Sequence, residues 1–460
     1  MTRPPVLLMI VVLGGLAGVL LSLNGCAGVA RDPVQQPQVI QHVVVIFQEN
    51  RSTDNMFQDP VLIGRGADIA QSGMNSSGQS VTLSQVDLAA TYDLDHSHKA
   101  FVETYDGGKM DGANLVQVVC DASGSKNCPP PQLPPNPQYM YVNPAELQPY
   151  FQLAEQYTFG DRMFQTNQGP SFPAHQFIIS GTSAPSVGSD LFVYTNVYPG
   201  SEAGCIAPPG SIVGLIDPSG NENLTQYPCF EHPTLTDLLD ANGISWRYYA
   251  PSAGSIWTGP DAIQHICQPQ TQKGQLVCTG SAWSNVIIPQ TKVLTDIANH
   301  QLAQVSWVIP DGSASDHADT NDGSGPSWVA SVVNAIGNSS YWSDTAIFIT
   351  WDDWGGWYDH VAPKIINSYE YGFRVPLIVV SPYAKASYIS HVTHDFGSIL
   401  RFIEETYGLP SLGYADASAD DFSDCFDMHQ TPLQFQTITA PMGTEHFLND
   451  RRPPTDPDDD

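Results

Sequence analysis

The nine residues VIQHVVVIF (39–47), followed at once by Gln48-Glu49-Asn50-Arg51-Ser52, decide how this chain folds. So continuous a β-branched run fits a strand buried on both faces, the habit of a parallel sheet covered by helices on either side. Polar residues directly after such a strand stand where open α/β sheets bind ligands, beyond the carboxyl ends. Strand patterns recur at 244–249, 304–309, 345–350 and 376–381, and helical patterns lie at 234–241, 294–299, 327–336 and 395–407. This order predicts an α/β fold, a mixed, mostly parallel sheet sandwiched by helices. Gly-, Pro- and Asn-rich stretches near 58–90, 119–145 and 185–230 carry no periodicity and are expected as surface insertions. No internal repeat is evident. One domain over 39–445 is expected, then a disordered Pro- and Asp-rich tail over 446–460.

Composition narrows the function. With 460 residues, 42% of them hydrophobic, the chain can bury a large core, which excludes a disordered protein. Seventeen Lys and Arg stand against 47 Asp and Glu, a net charge of −30. Such a surface repels nucleic-acid phosphates, so no nucleic-acid partner is expected.

The N-terminus reads as an export signal. Arg3 precedes an apolar run over 6–23 that ends in Leu23-Asn24-Gly25-Cys26. The ending resembles a bacterial lipobox, which implies a signal peptide over 1–25, a lipid on Cys26, and a tether over 26–38. Plain secretion and a retained anchor helix are the alternatives. All three place the remainder outside the cytoplasm, in the periplasm or at the cell surface. In an oxidising compartment, neighbours in sequence could pair as Cys120–Cys128, Cys205–Cys229 and Cys267–Cys278, leaving Cys425 free. No CxxC occurs, which argues against a structural zinc site.

Polar clusters follow the strands. Glu49 and Asn50 are hard oxygen donors suited to a divalent cation, although Ser52 as a helix cap is the plainer use of that segment. Asp352 and Asp353 follow the strand at 345–350. Adjacent carboxylates point apart on an extended chain and meet one ion only where the backbone turns, which Gly355-Gly356 permits. His96 in Asp95-His96-Ser97-His98 and His317 after Asp316 lie in loop-like regions, where histidines turn to chemistry more readily. Asp359-His360 and His394-Asp395 are further candidates, and His42, inside a strand, is structural. In Asn167-Gln168-Gly169-Pro170-Ser171-Phe172-Pro173 a helix starts. Ser171 is either its cap or a nucleophile at the positive end of its dipole, where a phosphate is held. No G-x-S-x-G elbow, P-loop or GxGxxG is present, which disfavours a serine esterase and nucleotide-dependent transfer.

The segments HVVVIFQENRSTDNMF, DLDHSHKAFVETYDGGKMDG, GPSFPAHQF, QVSWVIP and AIFITWDDWGGWYDHV occur in one order. Together they resemble the bacterial phosphoesterase family that includes non-haemolytic phospholipases C and an acid phosphatase, over about residues 39–407. The resemblance implies a fold like that of alkaline phosphatases and sulfatases. It also implies roles: Glu49, Asn50, Asp352 and Asp353 as metal ligands, Ser171 as a nucleophile that touches the metal, and His96 and His317 near the phosphate. Two departures stand out. Thr53-Asp54-Asn55 replaces the usual Phe-Asp-His, and Phe172-Pro173-Ala174-His175 replaces the Ser-Pro-Asn-Arg common among the phospholipases.

The expected chemistry is metal-assisted hydrolysis of a phosphoric ester through a phosphoserine. A divalent ion, with Ca²⁺, Mg²⁺ or Mn²⁺ favoured by oxygen ligands, neutralises the phosphate and activates Ser171. The substrate is a soluble phosphate ester or a phospholipid. A sulfatase-type hydrolase is weaker, since no Cys-x-Pro-x-Arg motif is present. A non-catalytic surface lipoprotein that binds carbohydrate or protein is the alternative from another class.

Overall fold

In the computed structural model, residues 39–119, 133–200 and 202–455 are described. Eight strands form the central sheet: β1 (His42–Gln48), β2 (Thr158–Gly160), β3 (Trp246–Tyr249), β4 (Val286–Ile287), β5 (Val305–Val308), β6 (Thr345–Trp351), β7 (Leu377–Val380) and β8 (Tyr388–Ser390). Their spatial order is β4-β3-β5-β1-β6-β7-β2-β8. Every pairing is parallel except the two made by β7, so β7 alone runs against the rest. The five strands read from sequence are all present. Their apolar runs are legible because the central strands are covered on both faces: β1 is buried from Val43 to Gln48, and β6 throughout.

The longer helices are α1 (His98–Tyr105), α2 (Gln148–Gln156), α3 (Ser171–Ser180), α4 (Leu235–Ala241), α5 (Lys292–Ala298), α6 (Gly325–Gly337), α7 (Phe396–Tyr407) and α8 (Thr444–Asn449). They pack in two groups, α6 with α2, α5 and α8, and α3 with α4 and α7. Adjacent residues of β1 show that the groups lie on opposite faces. Phe47 stacks edge-on to Phe396 at the start of α7, whereas the Gln48 amide donates to Tyr150 Oη of α2.

Two expectations need amendment. The insertions are not merely surface loops. Residues 72–74 and 80–82 form a ribbon, 84–86 pair with 140–142, and 192–193, 213–216 and 224–226 make a small sheet that buries Val213 and Ile216. Strands of two to four residues are too short to show a period. Disorder from 446 also fails locally: α8 is a helix, and Phe447 is buried against Trp328 at 5.3 Å between ring centroids. One apolar contact orders a segment whose composition reads as a tail. The cysteines agree with the sequence reading: Cys205–Cys229 and Cys267–Cys278 are bonded and Cys425 is a buried free thiol, while Cys120–Cys128 falls outside the described residues. The apolar run at 6–23 also lies outside them. Among the described residues no helix is long and apolar enough to cross a membrane.

Candidate active site

β1 and β6 are neighbours, so the residues that follow them leave the sheet side by side. Their pairing continues past the last strand residues: the Asp352 amide donates to Gln48 O at 3.0 Å and the Arg51 amide to Asp353 O at 2.9 Å. Asn50 takes a left-handed conformation, φ 61°, which costs a residue with a side chain free energy. Its amide nitrogen thereby donates to Asp352 Oδ1 at 2.9 Å. On the β6 side the chain turns at Gly355 and Gly356, φ 62° and 73°. A Cβ on Gly355 would stand 2.1 Å from Asn50 O, so the turn admits glycine alone. Before this bend Asp352 Oδ1 accepts from the Asn50 backbone amide, and Asp353 Oδ2 accepts from Ser171 Oγ at 3.3 Å.

Ser171 is the first residue of α3, preceded by Pro170. The whole helix is buried. One turn on, His175 faces the same way, as residues four apart in a helix do. Its Nε2 lies 3.2 Å from Glu49 Oε1, and Nδ1 lies 3.1 Å from Tyr248 Oη. Tyr248 Oη donates to Trp257 O at 2.7 Å, so its proton is used, and it can only accept from His175 Nδ1–H. Burial, with the charges of Glu49, Asp261 and Asp352, pushes the Tyr248 phenol well above its ordinary pKa and keeps it neutral. In neutral His175 the Nε2 lone pair therefore faces a carboxylate oxygen. That arrangement needs a cation, either a second proton on the ring or a metal ion.

His96 and His317 meet at 6.0 Å between ring centroids. His96 Nδ1 lies 2.8 Å from Leu94 O, which can only accept, so Nδ1 carries the proton. His96 Nε2 is then the acceptor for the Asn50 amide, Nδ2, at 2.9 Å. This fixes the Asn50 side chain with Oδ1 turned away from His96. His317 Nδ1 similarly faces Ala318 O at 2.6 Å. Its neighbour Asp316 is occupied structurally: Tyr150 Oη and Trp351 Nε1 donate to it, and burial pushes its carboxyl up to about 6.

The contacts join the residues singled out from sequence in two sets: Asn50 touches Asp352 and His96, His96 meets His317, and Glu49 and Asp352 come together at His175, while Ser171 touches Asp353. His175 was missed, although its i+4 spacing from Ser171 was a usable signal. The donor set fits a divalent cation. Glu49, Asp352 and Asp353 are all fully buried, and burying carboxylates costs several kcal/mol each unless they are compensated. Asp352 Oδ2 and Asn50 Oδ1 are buried with no hydrogen-bond partner among the described residues. One ligating atom from each of Glu49, His175 and Asp352 lies within 4.8 Å of the others.

The Asp359-His360 pair has another role. Asp54, Asp359 and His360 surround the buried Arg374, whose guanidinium reaches Asp359 Oδ1 at 2.8 Å and Asp54 Oδ1 at 3.1 Å. His360 in turn holds Asp54 Oδ2 at 2.7 Å and Asp68 Oδ1 at 3.0 Å. With Arg374 at its centre, the cluster is a charge-compensated brace.

Buried acids, an amide and a hydroxyl thus stand at the carboxyl edge of a mixed α/β sheet, and sequence comparison gives the family. Residues 40–410 match the profile of the Phosphoesterase family, and the protein belongs to that family. It is 25% identical to the hemolytic phospholipase C of Pseudomonas aeruginosa, a match covering 81% of this chain and 53% of that one. It is 23% identical to phospholipase C B of Mycobacterium tuberculosis, covering 85% and 78%. The chain therefore spans about half the length of the Pseudomonas relative. Among solved structures, an alkaline phosphatase superfamily protein from Vibrio parahaemolyticus aligns with a TM-score of 0.35 and 10% identity, over 87% of this chain and 77% of that one.

Proposed function

We propose that this protein hydrolyses phosphoric esters, with Ser171 as nucleophile and one divalent ion held by Glu49, Asn50, Asp352, Asp353 and Ser171. The observation that carries the reading is the contact of Ser171 Oγ with Asp353, next in chain to Asp352, whose buried Oδ2, like Asn50 Oδ1, has no hydrogen-bond partner among the described residues. When bound, the ion offsets phosphate charge and lowers the pKa of the serine hydroxyl. The protein supplies the rest. Asp353 orients Ser171 Oγ and accepts its proton or shares it. Attack forms the Oγ–phosphorus bond as the ester oxygen leaves. His96, its Nδ1–H donated to Leu94 O, turns Nε2 to the Asn50 side-chain amide and aligns it. His317, entering the step as the imidazolium, gives its Nε2 proton to the departing oxygen. Water then attacks phosphorus and frees Ser171. Protonation of this kind contributes about 10²–10⁴ in rate. The names of the relatives support a phospholipid ester as substrate, and a soluble phosphate monoester remains the competitor within the class.

The test is a substrate panel, phosphatidylcholine and an aryl monophosphate, run with and without chelator on the wild type and on Ser171→Ala. The expected result is turnover that chelation removes and metal restores, with none from the folded variant. Undiminished hydrolysis by Ser171→Ala overturns the assignment.

Export and attachment through a lipid on Cys26 belong to the same proposal. Two disulfides among the described residues support an oxidising compartment.

A further inference from the structure

A second group of ligand-type side chains lies outside the catalytic residues. His394, at the turn into α7, is fully buried, as is Cys425. Asp424 reaches them from the segment that follows α7. His394 Nε2 lies 3.6 Å from Asp424 Oδ1 and 3.9 Å from Cys425 Sγ, and Sγ lies 3.4 Å from Asp424 Oδ1. These three separations are the edges of a triangle. A tetrahedral zinc with bonds of ~2.0–2.1 Å to nitrogen or oxygen and ~2.3 Å to sulfur has ligand–ligand edges of about 3.3–3.6 Å. The observed edges match within a few tenths of an ångström, with no rotamer change.

The surroundings suit a metal-bound imidazole. The other ring nitrogen, Nδ1, stands 2.9 Å from Asp420 Oδ1, at ion-pair distance though without good hydrogen-bond alignment. A carboxylate behind a ligating histidine is the usual second partner, because it sets the tautomer and leaves Nε2 for the metal. Phe422 stacks on the His394 ring at 4.4 Å and excludes water from that side. Ser390 Oγ, 3.1 Å from Nε2 and 2.5 Å from Asp424 Oδ2, stands beside the open fourth position.

We propose that His394 Nε2, Asp424 Oδ1 and Cys425 Sγ form a zinc site, with water or Ser390 Oγ as fourth ligand. Mixed nitrogen, oxygen and sulfur donors in a tetrahedral arrangement select zinc over the hard ions suited to the catalytic residues. On binding, the Sγ–H bond is replaced by an Sγ–zinc bond, and the proton leaves to solvent with no change of oxidation state. The ion would fasten the segment after α7 to the end of β8 and to the start of α7.

Cobalt substitution on the full chain tests this, because a cobalt–thiolate bond gives a near-ultraviolet charge-transfer band that oxygen and imidazole ligands do not. Protein stripped with chelator and titrated with Co²⁺ is expected to gain one tetrahedral, thiolate-ligated ion, displaced by zinc. Cys425→Ser is expected to lose the band. Glu49→Gln, in the catalytic set, is expected to keep it. The competing occupant is a proton on Nε2, an imidazolium held by the same acids. It gives no such band in the folded wild type, and that result overturns the proposal even if Cys425→Ser fails to fold. A band that persists in Cys425→Ser overturns it too.

Discussion

His175 ties α3, which starts at Ser171, to Glu49 just beyond β1. If its Nε2 shares the catalytic ion with Glu49 and Asp352, His175→Ala should stay folded by circular dichroism. It should also need at least about tenfold more metal for half-maximal activity. An unchanged metal titration would leave His175 as packing only. Gly355 bears on the same site from the backbone. Alanine there must adopt a positive φ and push against Asn50 O, so Gly355→Ala should cost at least ~1–2 kcal/mol, read as a lower melting temperature, and should depress activity. Full activity and stability would show that the turn relaxes freely. These residues also show where sequence reading stops. Glu49, Asp352 and Ser171 could be found because they are reactive types at strand and helix ends. Asn50 could be nominated, but its left-handed backbone, which brings its amide onto Asp352, depends on a partner more than three hundred residues away. His175 looked only like a departure from a motif, since nothing local tells a buried helical histidine from one that faces a carboxylate.

Elements read well wherever burial is two-sided. β1, β5, β6 and β7 announce themselves as apolar runs because helices cover both faces. The ribbons at 72–82 and 192–226 did not, because strands of two to four residues are too short to show a period. The brace around Arg374 joins the turn at Thr53–Met56 to the stretch between β6 and β7, and it carries a pH signature. Burial pulls the His360 pKa down, but the hydrogen bond and charge of Asp54, with the charge of Asp359, outweigh it and hold it at about 9. A pKa raised in the folded state gives stability that is fully present below the ordinary value near 6.5 and is lost as pH rises through about 9. His360→Gln should therefore lower the melting temperature clearly at about pH 6 and much less at about pH 10. An equal deficit at both would place the contribution in packing.

For the molecule as a whole, the proposed export signal and lipid anchor predict a measurable address. Cys26→Ala should abolish incorporation of a labelled fatty acid and release the protein from the membrane fraction, with its hydrolytic activity unaltered. Unlabelled wild type would refute lipidation. The reversed direction of β7 has its own consequence. Strand β6 ends at the rim that carries Asp352 and Asp353, and β7 begins there, so residues 352–376 depart from and return to a single rim without passing beneath the sheet. That stretch holds the acidic pair at its root, while its outer part can lengthen, shorten or change character with no crossing helix to rebuild. Diversification of what this scaffold accepts has a ready-made plot of ground there, bounded by a fixed reactive corner on one side and the Arg374 clamp on the other.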